Sequence, residues 1–402
     1  MRVSTSWLFS NGAALLSQKQ ADLSRTQQQI SSGSRLLVPS DDPVAASNAL
    51  TTQQSIALAE QYARTQTAAQ SALGLTESTL GQVGDSLQDI RTLAIQAGNG
   101  TLNAADRRTM AVDLRGRIEA LMGLANSRDG AGGFLFSGYQ DTVQPFVRTG
   151  AAVVYQGDEG TRALQVSAHR TMETGASGAS IFEGAHAGNG AFTVDVPAGN
   201  AGSGIADAGR VINPSVVTGH AYQVQFHGAP GAMTFDVVDS TTSASVVTGA
   251  SYTDGMSISF DGLQFTMSGM PANNDSVSVA PSARQSVFKT LDDLAAALEA
   301  SASGTLSNAA FQSRMLAGIA GIDQASDQVL GARTAAGSRL AELDALGTQV
   351  AGQKLTYQAE LAKLTGLDYN EAISSLTQQT TSLQAAQQTY LRVTGLSLFN
   401  YL

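Results

Sequence analysis

Met315, Ile322, Val329, Ala336, Leu343, Val350, Tyr357 and Leu364 recur every seven residues without a miss. An apolar stripe of that period constrains a chain more than any composition does. It fits one face of a helix and no strand, and it has to be covered by another helix. The same repeat stands at the other end of the chain, in the row Phe9, Leu16, Leu23 and Ile30. It resumes beyond Pro43 in Leu73, Thr76, Leu80, Val83, Leu87, Ile90, Ala94 and Ala97, which alternate by three and four. A helix over 44–98 is roughly 80 Å long at 1.5 Å per residue. A third helix is expected over about 104–127, carrying Ala111, Leu114, Ile118, Leu121 and Ala125. Val287, Leu291, Leu294 and Leu298 predict a short helix, and Tyr369, Ile373, Leu376, Leu383 and Tyr390 a last one. Burying each Leu or Ile stabilises by roughly 1.5–3 kcal/mol. Pairing N-terminal with C-terminal helices in a bundle is the simplest way to do so.

Local chemistry marks the boundaries. Asp42 is placed to cap and Pro43 to take the first helical position. Asn103 is followed by Asp106, which places an acid in the first turn, while Ser282 and Gln285, and Asp368 and Glu371, stand at capping-box spacing. Asn99-Gly100 ends the long helix.

The middle has another character. Residues 150–285 hold 19 of the 41 glycines, and four basic against eleven acidic residues, a net charge of −7. Alternating runs (Tyr222, Val224, Phe226; Phe235, Val237; Ile258, Phe260; Leu263, Phe265, Met267) predict strands with one buried face. Asp254-Gly255 and Asp261-Gly262 are turn signals. Residues 173–209, rich in Gly, Ala and Ser, are expected to be loop. The fold class is therefore mainly α with an inserted β-domain: a helical bundle or coiled coil formed by both termini, and an outer antiparallel β-domain between them. Three parts are expected: terminal helices 1–43 plus 365–402, a bundle core 44–150 plus 283–364, and a β-rich region 151–282.

The net charge of −10 opposes nucleic-acid binding. Without cysteine the chain has no disulfide, zinc thiolate or thiol nucleophile. No apolar run is long enough for a membrane span or signal peptide, which predicts a protein that is cytosolic or exported without a cleaved leader. His220 and His227 are seven apart and would face opposite sides of one strand, against metal binding. Asp41-Asp42 suggests a metal or acid/base pair, but a helix cap explains it with less. Nucleophile-elbow, phosphate-loop and zinc-protease motifs do not occur. An enzyme is not expected, nor any cofactor or metal. The tail, Leu396, Leu398, Phe399, Tyr401 and Leu402, would aggregate if left exposed, so burial by a neighbouring subunit is favoured over folding back.

The segment Gln29-Ile30-Ser31-Ser32-Gly33, Arg35, and Pro39-Ser40-Asp41-Asp42-Pro43-Val44-Ala45-Ala46 resembles the N-terminal signature of flagellins and hook-associated proteins. Flagellins proper usually have alanines where Pro39 and Pro43 stand, which points to the hook-associated branch. Ile90-Arg91-Thr92-Leu93-Ala94-Ile95-Gln96 with Asn99-Gly100-Thr101 looks like that family's long-helix motif. Phe134–Gly138 with Pro145-Phe146 and Tyr155–Asp158 is similar to its turn into the outer domain. Gly395–Leu402 resembles the branch's terminal signature. Ser268-Gly269-Met270-Pro271 with Asn274-Asp275 looks like a β-module of hook-associated proteins, with Asn274 where a glycine usually stands.

The resemblance covers about 1–160 and 285–402. It implies a flagellin-like structural subunit of the bacterial flagellum, outside the cell. Its terminal helices would form the inner tube, and its place would be between hook-associated protein 1 and flagellin, in a ring with its own copies. It further implies type III export without a cleaved signal peptide and a cytoplasmic export chaperone on the C-terminal helix. Leu16, Leu23, Ile30, Leu376, Leu383, Tyr390, Leu396, Leu398, Phe399 and Leu402 would then form the assembly interface. Arg91 has Asp89 or Glu77 as surface partners, and the resemblance favours a contact with a neighbouring subunit. The alternatives are a flagellin filament subunit and a secreted coiled-coil adhesin. No nucleic-acid or membrane partner is expected.

Overall fold

In the computed structural model, residues 5–130, 132–229 and 231–395 are described. Six helices carry the repeats: α1 (Thr5–Ser32), α2 (Pro43–Ala97), α3 (Ala104–Ala125), α4 (Val287–Ala302), α5 (Asn308–Thr365) and α6 (Tyr369–Gly395). The chain divides into two compact units. One holds 1–64 and 345–402, the other 65–344, with the division falling inside α2 and α5.

The unit 65–344 has a continuous core. The heptad positions Leu80, Val83, Leu87 and Ile90 of α2 and Met315, Ile322 and Val329 of α5 belong to one hydrophobic cluster with Leu114, Ile118 and Leu121 of α3 and Leu291, Leu294 and Leu298 of α4. α3 starts on a capping box. The Asn103 side chain accepts from the Asp106 N–H, and Asp106 accepts in return from the Asn103 N–H. Ser282 and Gln285 do not cap α4. The Ser282 hydroxyl donates to the Ala187 carbonyl at 2.7 Å, and the Gln285 amide reaches the Thr290 hydroxyl at 3.0 Å. α4 begins instead after Ser286, which makes no side-chain cap bond.

Between α3 and α4 run thirteen strands among the described residues. Two hairpins come first, β1 (Phe146–Thr149) with β2 (Ala152–Tyr155) and β3 (Ala163–Ser167) with β4 (Arg170–Glu173). They are followed by β5 (Phe192–Asp195), β6 (Ile205–Ala206), β7 (Arg210–Val211), β8 (Tyr222–His227), β9 (Thr234–Asp239), β10 (Ser245–Ser251), β11 (Met256–Phe260), β12 (Leu263–Ser268) and β13 (Ser276–Pro281). A five-stranded antiparallel sheet has the order β10-β9-β8-β13-β5, and β12 pairs with β11, β6 and β7 in a second. The alternation in β8 buries Tyr222, Val224 and Phe226. The Tyr222 and Phe260 rings meet at 4.9 Å and those of Phe226 and Tyr252 at 5.4 Å, so residues of both sheets share one interior.

Asp261 and Gly262, at φ 42° and 79°, make the two-residue β11–β12 turn. Asn274 lies at φ 70°, in the left-handed region where Asn is the usual substitute for Gly. That conformation accounts for asparagine at this point of the β-module.

The stretch 173–209 is not all loop. It holds β5, whose Phe192 and Val194 are buried, and a π-turn over Ala179–Glu183 that places Phe182 against Phe136, Phe146 and Phe288. His220 precedes β8 and His227 ends it, so the two do not share one strand. They pair with Asp239 at 2.7 Å and Asp236 at 3.3 Å. The Asp239 carboxyl is desolvated, which alone would raise its pKa. Hydrogen bonds from Thr242 and His220 outweigh that and hold it far below the usual carboxylate range.

Candidate assembly interface

The unit formed by 1–64 and 345–402 is built around the ten residues between α1 and α2. α1 ends at Gly33, whose φ of +68° suits glycine and whose N–H donates to the Gln29 carbonyl at 2.8 Å. Ser34 then bridges to Gly366, and the Arg35 N–H donates to the Thr365 carbonyl. The Arg35 guanidinium donates to the Leu364 carbonyl at 3.1 Å and reaches Asp42 at 3.4 Å. One arginine thus meets the unsatisfied C-terminal carbonyls of α5, where a cation is favoured.

The two adjacent aspartates are used separately. Asp41 accepts from the N–H groups of Leu37 and Val38 at 2.9 and 3.2 Å and pairs with Arg25 at 2.6 Å. Asp42 accepts from the Ala45 N–H at 3.0 Å, and Pro43 opens α2. The backbone donors, Leu37 for Asp41 and Ala45 for Asp42, hold both carboxyls below their ordinary pKa. Asp368 caps α6 likewise, accepting from the Asn370 and Glu371 N–H groups.

α1 and α6 pack antiparallel. Gly12 lies against Tyr390, where a Cβ would stand 2.8 Å from the ring, and Gly33 lies against Tyr369. This pairing gathers part of the expected interface: Leu16, Leu23 and Ile30 on α1 and Leu376 and Tyr390 on α6 are half-buried, and Leu383 is buried. It does not finish the burial. Among the described residues of this unit six apolar side chains are buried, and four of them are alanines: Ala45, Ala49, Ala59 and Ala372, beside Val350 and Leu383. Trp7 (59% exposed), Leu15, Val44 (71%), Leu50, Leu58, Leu355, Ile373 and Leu391 remain in solvent. Ile373 was expected on the inward stripe and lies outside it. The other seven lie off the seven-residue rows, so the heptad pattern carries no signal for them.

Two groups fall elsewhere. Leu396, Leu398, Phe399 and Leu402 lie outside the described residues. Arg91 sits in the unit 65–344 and pairs with Asp323 on α5 at 2.6 Å, neither with Asp89 nor with Glu77. Those two carboxylates are taken by Arg117 and Arg333. The Arg91 charge is thus paired inside its own chain while its side chain stays partly exposed.

Known proteins bear on this geometry. The family model for the bacterial flagellin N-terminal helical region matches residues 3–141, and that for the flagellar hook-associated protein 1 D2-like domain matches 197–281. The crystal structure of FlgL from Xanthomonas campestris is 30% identical, with a TM-score of 0.71 over 77% of this chain and 99% of that one. The chain belongs to the FlgL family, the flagellar hook-associated proteins 3. The flagellar junction protein FlgL from Legionella pneumophila is 27% identical, with a TM-score of 0.72 over 79% of this chain and all of that one. The hook-associated protein 3 of Salmonella typhimurium is 40% identical over 182 residues, which span 45% of this chain and 57% of that protein. The FlgL-family fold, terminal helices around a central antiparallel β-region, is the architecture found here. Among the described residues no helix is long and apolar enough to cross a membrane.

Proposed function

We infer that this chain is a structural subunit of the bacterial flagellum, the adaptor between hook-associated protein 1 and the flagellin filament, and that it works by assembly and not by catalysis. The observation that carries the reading is the unfinished burial on the terminal helices. Large apolar side chains stand exposed where the unit's own interior is mostly alanine. Each such side chain covered by a neighbour contributes roughly 1.5–3 kcal/mol, so a closed ring of copies is favoured over free chains. In that ring the helices over 1–43 and 365–402 line the inner tube, the helices over 44–150 and 283–364 form the bundle around it, and 151–282 projects outwards. The chain is exported without a cleaved signal peptide, and a cytoplasmic export chaperone shields the C-terminal helix before assembly.

The test is immunogold labelling of intact flagellated cells with antibody against 151–282. The expected result is one narrow band at the distal end of the hook. Label along the whole filament would instead assign the chain as a filament subunit. Deleting residues 1–40 is expected to leave a folded protein that no longer supports filament growth, and a deletion protein that still supports it would overturn the assembly mechanism.

A further inference from the structure

Within the unit 65–344, a cleft of about 480 Å³ opens between β5, α4 and α5. Its size lies in the range of pockets that hold a ligand or a short peptide. Three observations give it a chemistry. β5 is an edge strand, paired with β13 on one side only. The Ser282 N–H donates to the Ala191 carbonyl at 3.0 Å, and the register continues through Thr193–Ala280 and Asp195–Ser278. In an antiparallel ladder these alternate pairs face each other, so Phe192 and Val194 turn their main-chain groups outwards. Phe192 is satisfied locally: its N–H donates to the Asn189 side chain, and its carbonyl accepts from the Asn189 N–H. Among the described residues no hydrogen bond covers the outward main-chain groups of Val194, and this buried residue lines the cleft.

The second observation is Arg314, on the α5 wall. It is half-buried, and none of the hydrogen bonds or ion pairs among the described residues involves it. A partly desolvated cation without a counter-ion is a site for an anion. The other charges facing the cleft do not supply one. Asp293 is held by Lys289 at 2.8 Å, and Asp195 is exposed to solvent. The third observation is the small-residue floor, Ala297 and Ala300 on α4 and Ala317 on α5, which leaves room for a backbone to lie close.

We propose that this cleft docks a short extended segment of a partner polypeptide, which pairs its main chain with Val194 and places an Asp or Glu side chain on Arg314. The occupant is defined by charge and by conformation. An unpaired strand edge is completed by an extended backbone, and the lone guanidinium by a carboxylate.

The chain has no cysteine, so Ala296→Cys in the full-length protein takes a single environment-sensitive fluorophore at the exposed rim of the cleft, clear of the small-residue floor. The probes are two blocked hexapeptides of alternating valine and charged residue, one with aspartate and one with lysine. Saturable binding of the aspartate peptide is expected, about tenfold tighter than the lysine peptide. Arg314→Glu is expected to reverse that order. Amide exchange across 190–197 is expected to slow in the bound state. Absence of saturation at millimolar peptide, or an order of preference that Arg314→Glu leaves unchanged, would overturn the proposal.

Discussion

A matched pair of leucine truncations separates burial that holds the monomer from burial that awaits a neighbour. Leu87 on α2 is fully enclosed, and Leu376 on α6 is half-exposed. Leu87→Ala removes the transfer free energy of the side chain and leaves a cavity, a loss of about 3–5 kcal/mol. In a unit of this size each kcal/mol lowers Tm by roughly 2–4 °C, so the main thermal transition should fall by about 6–20 °C. Leu376→Ala removes a side chain that water already reaches on one side, and about 1 kcal/mol or less is at stake in the free chain. The order reverses on assembly. If adjacent copies complete the burial of Leu376, each subunit loses roughly 1.5–3 kcal/mol there, multiplied around a ring. Circular-dichroism melts of the purified variants read the first effect. Filament length and swimming of cells carrying each variant read the second. The expected result is a low-melting Leu87→Ala protein and a Leu376→Ala protein with near-normal Tm that fails to support filaments. A Leu376→Ala protein that melts as low as Leu87→Ala, or that supports full-length filaments, refutes the reasoning.

Gly33→Ala forces a side chain into a left-handed backbone 2.9 Å from the Tyr369 hydroxyl. It should cost about 1–2 kcal/mol in the terminal unit, read as a lower denaturant midpoint for a probe on α1, while a probe on α3 is unchanged. Asp41 and Asp42 both have folded pKa values depressed below 3.8. Their contribution is therefore complete above that value and is lost as pH falls through the lower folded values. The amide signals of Leu37, Val38 and Ala45 should shift together only in that acid window, and a transition above 3.8 in isotope-labelled protein would contradict the assignment.

Much of the helical architecture is legible in the residues because long stripes leave a periodic trace that no strand or loop imitates. Pro43 stands at the predicted start of α2, and the heptads from Met315 to Leu364 all lie on α5. What escaped was short or non-local. The alternation of Phe192 and Val194 is hidden in a Gly- and Ala-rich stretch, and four residues are too few to outweigh that background. Ser282 has capping spacing, but its hydroxyl goes to Ala187, ninety-five positions away in the chain. Arg91 has the acids Glu77 and Asp89 on its own helix, yet Asp323 is brought to it by packing of α5, which no local pattern announces. The same limit applies to Arg35. Its motif is visible, but its two carbonyl partners, Leu364 and Thr365, come from the far end of the chain.

The antiparallel match of Gly12 with Tyr390 and of Gly33 with Tyr369 has a kinetic consequence. Of the two helices these residues join, α1 is made first, and its partner α6 lies far along the sequence. Until α6 has been made, α1 lacks this partner, and closure then brings together segments far apart in the sequence, the slowest kind of contact to form. A chain wired in this order closes its α1–α6 pair late, so this pairing limits how fast the unit can finish folding.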